Sequence, residues 1–141
     1  MNHLSLADSV LATQDIAPQI ASANVNGTVM NMAGWTGIMY VFNIGAMASG
    51  ATFDARIMSS ANSNFSGNSN ITNAALTQVP NTANLNIAII DVWNPTLPYL
   101  KSAAQPATAN VTFGSVAYRY RRDGLLPPTQ SAQQIVRVSA N

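Results

Sequence analysis

The sequence predicts an all-β protein, a β-sandwich or jelly roll with extended N- and C-terminal arms. Short runs of β-branched, aromatic and other apolar residues alternate with turn signals rich in Gly, Asn, Ser and Pro. No long stretch shows the apolar spacing of an amphipathic helix, and no repeat recurs at a fixed period. With 141 residues, of which 48% are hydrophobic, the chain suits one domain with its own core.

Residues 1–26 differ in texture from the rest and are predicted to form an N-terminal arm. Leu4, Leu6, Val10 and Leu11 can form a short helical stripe. The segment 16–20 then favours an extended strand, in which Pro18 argues against a place in the centre of a sheet. Such an arm would dock on its own domain or on a neighbouring subunit.

Residues 27–124 are predicted to form the sandwich core, beginning with strands at 28–32, 37–44 and 52–58. The middle strand has largely apolar side chains on both faces, which predicts a central strand covered on two sides. The third strand alternates, with Phe53, Ala55 and Ile57 facing inward and Asp54 and Arg56 facing outward.

The second half of the core is predicted from its turn residues and apolar runs. Residues 59–70 predict a loop because Ser, Asn and Gly side chains compete for backbone hydrogen bonds. Residues 73–79 favour a helical turn, and 103–109 a turn through Pro106. Strands are expected at 85–93, 99–102 and 110–122, with Gly114 as the site of a bulge.

Residues 125–141 are predicted to form a C-terminal arm. Pro127 and Pro128 extend its first part, and the apolar run 135–138 can pair as an edge strand. Arms of this kind can exchange between subunits, which is a low-cost route to an oligomer.

The charge content indicates the class of partner. Charged residues make up 8% of the chain, against about 25% in a typical soluble domain. Glu is absent and Lys101 is the single lysine. Neutral polar groups bind neighbouring proteins at a lower desolvation cost than charges do, so the composition favours a protein covered by partners. A secreted β-domain rich in Asn and Thr has a similar composition.

Several function classes are not expected. The net charge of +1 attracts neither nucleic acid nor anionic lipid, and no apolar run is long enough for a membrane helix. Catalysis is not expected, because Cys is absent and His3 is the single histidine. Asp54 and Asp91 would form a carboxylate pair only if their strands were neighbours. No cofactor or metal motif is present.

Interface candidates are chosen by residue type and position, because Trp, Tyr and Arg are favoured at protein contacts. The cluster at 118–122 also allows a second interpretation, a platform on which bases stack and phosphates bind. The candidates are Trp35, Trp93, Tyr118, Arg119, Arg121, Arg122, Ile135 and Val136.

The order of these features resembles that of small head proteins of tailed bacteriophages. The resemblance lies in Gly34-Trp35, the apolar strand 38–44, the strand 53–58 that leads into a Ser/Asn/Gly loop, and the segment 95–101 that ends in Tyr-Leu-Lys. The ending at 117–128 is also similar. The resemblance implies a capsid decoration (cement) protein, a trimer or dimer on the outer capsid surface that bridges neighbouring major capsid proteins.

Two other functions remain open from the sequence. One is a different structural component of the virion, such as a head–tail adaptor, a tail protein or a small coat protein. The other is a β-domain that binds carbohydrate or nucleic acid. A decoration subunit is the function that the sequence favours, with the homotrimer favoured over the dimer.

Overall fold

The computed structural model describes residues 6–121 and 134–139, which form one helical turn, eleven strands and a 3₁₀ turn at Asn81–Ala83. Strands dominate because apolar and polar residues alternate along most of the described chain, with Gly, Asn and Pro between the runs. The elements are α1 Leu6–Ser9, β1 Val10–Ala21, β2 Val25–Asn26, β3 Met30–Asn31, β4 Gly37–Met47, β5 Thr52–Ser60, β6 Ser69–Ala75, β7 Val79–Pro80, β8 Asn86–Trp93, β9 Tyr99–Ala107, β10 Val111–Tyr120 and β11 Gln134–Ser139.

The strands form two sheets that pack as a sandwich. The five-stranded sheet has the order β1-β10-β4-β8-β11, and the second sheet has the order β2-β9-β5-β6, with β3 beside β9 and β7 beside β5. The first half of the chain pairs antiparallel with the second half in reverse order: β1 with β10, β2 and β3 with β9, β4 with β8, and β5 with β6 and β7. A long hairpin rolled up in this way is a jelly roll. The predicted all-β sandwich is confirmed.

The core lies between the two sheets, and β4 contributes several of its largest side chains. Ile38, Tyr40, Phe42 and Ile44 occupy alternate positions of this strand, and each is fully buried. Aromatic rings link the two sheets across the core. Phe53 of β5 lies between Phe42 and Phe113 of the opposite sheet, with ring centroids 6.0 and 5.1 Å apart respectively.

Much of the N-terminal region, predicted to be an arm, forms strands of the two sheets. Residues 10–21 form β1, an edge strand of the five-stranded sheet, and β2 pairs with β9 in the second sheet. Pro18 lies on this edge, as its missing N–H requires. The sequence did not predict this pairing because β1 has few alternating apolar positions. Its place in the sheet depends on tertiary packing, in which Ile16 is buried in the core.

The C-terminal segment 135–138 pairs as an edge strand. It belongs to β11, which runs parallel to β8 at the opposite edge of the sheet from β1. Residues 125–133 of the expected C-terminal arm lie outside the described residues.

Two local expectations are wrong. Residues 73–79 are not a helical turn, because β6 continues to Ala75 and β7 begins at Val79, both paired with β5. Residues 103–109 are not a turn, because β9 continues to Ala107. Pro106 fits within this strand since the neighbouring short strands pair with β9 only at residues 99–100 and 103–104, so no partner needs its missing N–H on that side.

Candidate functional site: the outer face of the five-stranded sheet

The candidate site is the side of the five-stranded sheet that is turned away from the second sheet, called the outer face below. The registers of β1, β10, β4, β8 and β11 place its side chains in rows across the strands. The first row is Val10, Tyr120, Gly37, Trp93 and Ser139; the second is Ala12, Tyr118, Met39, Asp91 and Arg137; the third is Gln14, Val116, Val41, Ile89 and Ile135; beyond it lie Gly114, Asn43 and Ile87.

Apolar side chains dominate the middle of the outer face. Met39, Val41, Ile87, Val116 and Ile135 are half-buried there, and no described element lies over them. An antiparallel sheet with one face on the core usually has polar residues on its other face. The outer face departs from that pattern, which is typical of a surface that binds a partner.

The second sheet provides the contrast. Its outward positions include Asp54, Arg56, Lys101 and Gln105 on the adjacent strands β5 and β9. Lys101 lies over the ring of Phe65 at 4.5 Å, and the Gln78 side-chain amide donates to Asp54 at 3.2 Å. The two outer surfaces of the sandwich therefore differ in degree: adjacent strands of the second sheet present Asp54, Arg56 and Lys101, whereas the middle of the outer face is mostly apolar.

Tyr120 ties three strands together on the outer face. Its ring lies against Gly37, where a Cβ atom would overlap the phenol. Its hydroxyl donates to Asp91 Oδ1 at 2.5 Å. Because Gly37 has no side chain, Tyr120 of β10 can reach across β4 to β8. This contact keeps the Asp91 carboxylate hydrogen-bonded at the edge of the apolar rows.

A groove of about 350 Å³ opens on the outer face. Its floor contains Gly45 and Gly114, which have no side chains, and Val41 and Val116 line it. The pairing of β1 with β10 is irregular between Gln14 and Gln19, and the backbone of Pro18 approaches Gly114. The expected bulge is therefore beside Gly114, but it is β1 that departs from regular pairing.

Two large apolar side chains stand at the same end of the outer face as the groove. Ile20 pairs with the groove residue Thr112 and is 67% exposed. Leu85 hydrogen-bonds through its backbone N–H to the groove residue Gly45, is 77% exposed, and has a φ of 54°. A left-handed φ is unfavourable for a residue such as Leu, so both its backbone and its exposure cost free energy in the single chain.

The predicted interface residues divide among several places. Trp93, Tyr118 and Ile135 lie on the outer face. Val136 points the other way, toward the core, against which it packs. Arg122 lies outside the described residues.

Trp35, Arg119 and Arg121 form a clamp at one end of the sandwich. The guanidinium carbons of Arg119 and Arg121 lie 5.9 and 5.3 Å from the Trp35 ring centroid. Arg119 donates to the Asn31 carbonyl at 2.8 Å, and Arg121 donates to the Gly34 carbonyl at 3.0 Å. These contacts hold the loop after β3 against β10, so the three residues have a structural role within the chain.

The alternation of β10 separates its aromatic residues from its basic ones. Tyr118 and Tyr120 lie on the outer face, whereas Arg119 points to the other side of the sheet, toward Thr13 and Asn31. They do not form one stacking platform. Asp54 and Asp91 lie on different sheets and face opposite sides of the sandwich, so they do not form a carboxylate pair.

A buried polar cluster around Asp15 joins the two sheets. Asp15 is 6% exposed, and its carboxylate accepts hydrogen bonds from Ser102 Oγ of β9 at 2.5 Å and from Ser115 Oγ of β10 at 2.7 Å. The Thr28 N–H donates to its other oxygen at 3.0 Å. Burial raises the pKa of Asp15, and these three hydrogen bonds oppose the rise.

Sequence reasoning missed Met39, Val41, Ile87, Ile89 and Val116 as site residues. The signal was present, since the apolar residues on both faces of β4 predict cover on both sides. The structure supplies cover on one side only within the described residues. The outer face is the face of β4 for which the sequence predicts cover and on which no described element lies.

Among residues 6–121 and 134–139, no group of three or more His, Asp or Glu side chains could hold a metal ion. No helix in the described ranges is long and apolar enough to span a membrane. No protein-family model matches the chain, and no curated protein matches its sequence.

Proposed function

We propose that this chain is a structural subunit of a virus particle, a capsid decoration (cement) protein that bridges and stabilises neighbouring major capsid proteins. The observation that carries the proposal is a sandwich of low charge whose five-stranded sheet leaves an apolar outer face uncovered by any described element. Such a surface is unfavourable in water and becomes favourable once a protein partner covers it.

The fold agrees with this function by analogy. Jelly rolls are common in viral capsid proteins, although a fold by itself does not determine a function. The resemblance to bacteriophage head proteins indicates the kind of particle. A subunit with several weak contacts gains strength from their number, because each contact after the first forms at high effective concentration.

Among the described strands, the edges at β1, at β2 and β3, and at β6 favour contacts through faces and loops, whereas edge strand β11 is regular. Edge strand β1 has Pro18 and two irregularities, β2 and β3 have two residues each, and β6 is interrupted by the left-handed Asn73, with φ of 64°. These features discourage the addition of another strand. Binding by strand addition, as in many peptide-recognition domains, is therefore disfavoured at these three edges.

Titration of empty shells tests the proposal. Shells assembled from the major capsid protein of the same virus are mixed with increasing amounts of this chain and sedimented. We expect saturation at a fixed ratio to the capsid protein, with many copies per shell. Saturated shells should resist heat better than bare shells, because the subunit binds the assembled state.

Unassembled capsid protein is the matched control, because a bridging site exists only where two capsid subunits meet. Equal binding to assembled and unassembled capsid protein would contradict bridging. Saturation at a few copies per shell would indicate an adaptor instead. Absence of binding, together with a steeply salt-dependent affinity for oligonucleotides, would favour the nucleic-acid-binding alternative.

A further inference from the structure

We infer that the outer face binds a second copy of this chain, with the two outer faces packed against each other about a two-fold axis. The inference deepens the proposed function and rests on it in one respect, that the chain acts as a subunit. It names the surface through which subunits pair, and the partner is the chain itself.

Within the described residues, the central strands of the five-stranded sheet are covered by another sheet on one side only. β4 and β8 lie inside the five-stranded sheet and have apolar side chains on both faces. The core covers the inner side chains such as Tyr40 and Ile90, which are fully buried. On the other side, Ile89 is 2% exposed, but Met39, Val41 and Ile87 remain half-buried with no described element above them. A second apolar sheet face would complete the burial that the sequence pattern predicts.

The charges of the outer face permit self-pairing. Among the described residues, the face has one acid, Asp91, and one base, Arg137, at paired positions of β8 and β11. The face is therefore neutral, and two copies of it do not repel each other. A partner with a strongly charged surface would find no complementary charge here, which favours a second neutral face over such a partner.

The size of the face suits a dimer. Five strands about 4.8 Å apart, with about seven residues each at about 3.4 Å, cover roughly 24 by 24 Å, on the order of 600 Å². A stable interface buries about 800 Å² per partner. The corrugated surface of side chains and the flanking residues Ile20 and Leu85 bring the outer face close to that area.

The groove and the exposed side chains of Ile20 and Leu85 are complementary in shape. The groove of about 350 Å³ can accept an apolar side chain, and Ile20 and Leu85 are exposed beside it. In a two-fold interface both copies use the same surface, so Ile20 and Leu85 of each copy face the outer face of the other. Leu85 has a left-handed φ and is 77% exposed, and a partner that covers its side chain would offset the cost of that exposure.

The mass of the full chain in solution, measured by sedimentation, tests the inference. We expect the wild type to have a mass of twice 14.8 kDa at micromolar concentration, and three times that mass, as in the homotrimer favoured by the sequence, would contradict the two-fold pairing. Val41→Lys places a charge at the centre of the outer face and should weaken self-association at least about 100-fold. Gln105→Lys, at a central strand on the opposite outer surface, is the matched control and should leave the mass unchanged.

Methionine oxidation by peroxide locates the contact without any substitution. Met39 on the outer face and Met58 on the opposite surface are both half-buried in the single chain. In the dimer, Met39 should be oxidised several-fold more slowly than after dilution to monomer, and Met58 should react at the same rate in both. This comparison also decides the question if Val41→Lys fails to fold.

Three other results would overturn the inference: a wild-type monomer at high micromolar concentration, an oligomer that Val41→Lys leaves intact, or dilution that exposes Met58 but not Met39. None of these measurements involves a shell. A chain that dimerises through the outer face but does not bind shells would refute the proposed function alone. A monomer that saturates shells would refute the dimer alone.

Discussion

Asp15 is an ionisable residue placed inside the sandwich, and burial raises its pKa above the ordinary 3.8. The folded chain therefore binds this proton more readily than the unfolded chain does, so protonation stabilises the fold. That contribution is complete below the ordinary pKa and is lost as the pH rises through the raised pKa. We expect the part of the free energy of unfolding that depends on Asp15 to decrease as the pH rises above about 4.

Urea denaturation at closely spaced pH values measures this dependence. Asp15→Asn should remove the decrease, while Asp54→Asn, at an outward position of the second sheet, should retain it. A parallel pH profile for wild type and Asp15→Asn would contradict the assignment. The cluster could not be predicted from the sequence, because Asp15 meets Thr28, Ser102 and Ser115, which are 13, 87 and 100 residues away.

At the scale of single elements, β11 is the parallel strand of an otherwise antiparallel sheet. Val138 anchors it in the core, and Gln134 anchors its start by accepting from the Thr77 N–H and donating to the Thr77 carbonyl at 3.0 Å. Gln134→Ala removes both hydrogen bonds, each worth about 0.5–1.5 kcal/mol. We expect faster amide hydrogen exchange in β8 and β11, with rates in β1 unchanged.

Hydrogen exchange followed by mass spectrometry distinguishes this local opening from global loss of stability. Gln78→Ala is the control, because the Gln78 side chain donates its hydrogen bond to Asp54 of the second sheet. Equal acceleration in β1 and β8 would show that β11 is not an independent unit.

The strands that could be predicted from the sequence are those with long apolar runs or a clear alternation of apolar and polar residues. The expected strands at 37–44, 52–58, 85–93 and 110–122 correspond to β4, β5, β8 and β10 within a few residues. Prediction failed where local chemistry competed with distant pairing. Pro106 signalled a turn, yet β9 extends past it because β5 supplies partners as far as Ala107.

At the scale of the whole molecule, the candidate site depends on which face of the five-stranded sheet meets the second sheet. The local pattern of β4 indicates cover on both faces but does not say which face the second sheet covers. The sequence identified Tyr118, Trp93 and Ile135 by residue type, and all three lie on the outer face. It could not separate them from Trp35 and Arg119, which form an internal clamp, because the layout of the sheets places the two groups at different sites.

The neutrality of the outer face gives a prediction for the whole assembly. Exposed charges more than a Debye length apart are screened by salt, whereas apolar burial is not weakened by it. The dissociation constant for self-association should change less than about threefold between about 50 and 500 mM sodium chloride. Sedimentation at several concentrations measures it. A tenfold weakening in high salt would show that charge, not apolar contact, holds the copies together.

The topology of the rolled hairpin also constrains how the chain folds during its synthesis. Val10 pairs with Tyr120, so β1 must wait during synthesis until β10 has emerged before the two strands can pair. The pairings of β4 with β8 and β5 with β9 span shorter but still distant stretches, which makes closure slow. Throughout that interval β1 is without its partner strand. The nascent chain is therefore expected to bind chaperones before it is complete. On overproduction, the fraction of the protein in inclusion bodies should increase with temperature.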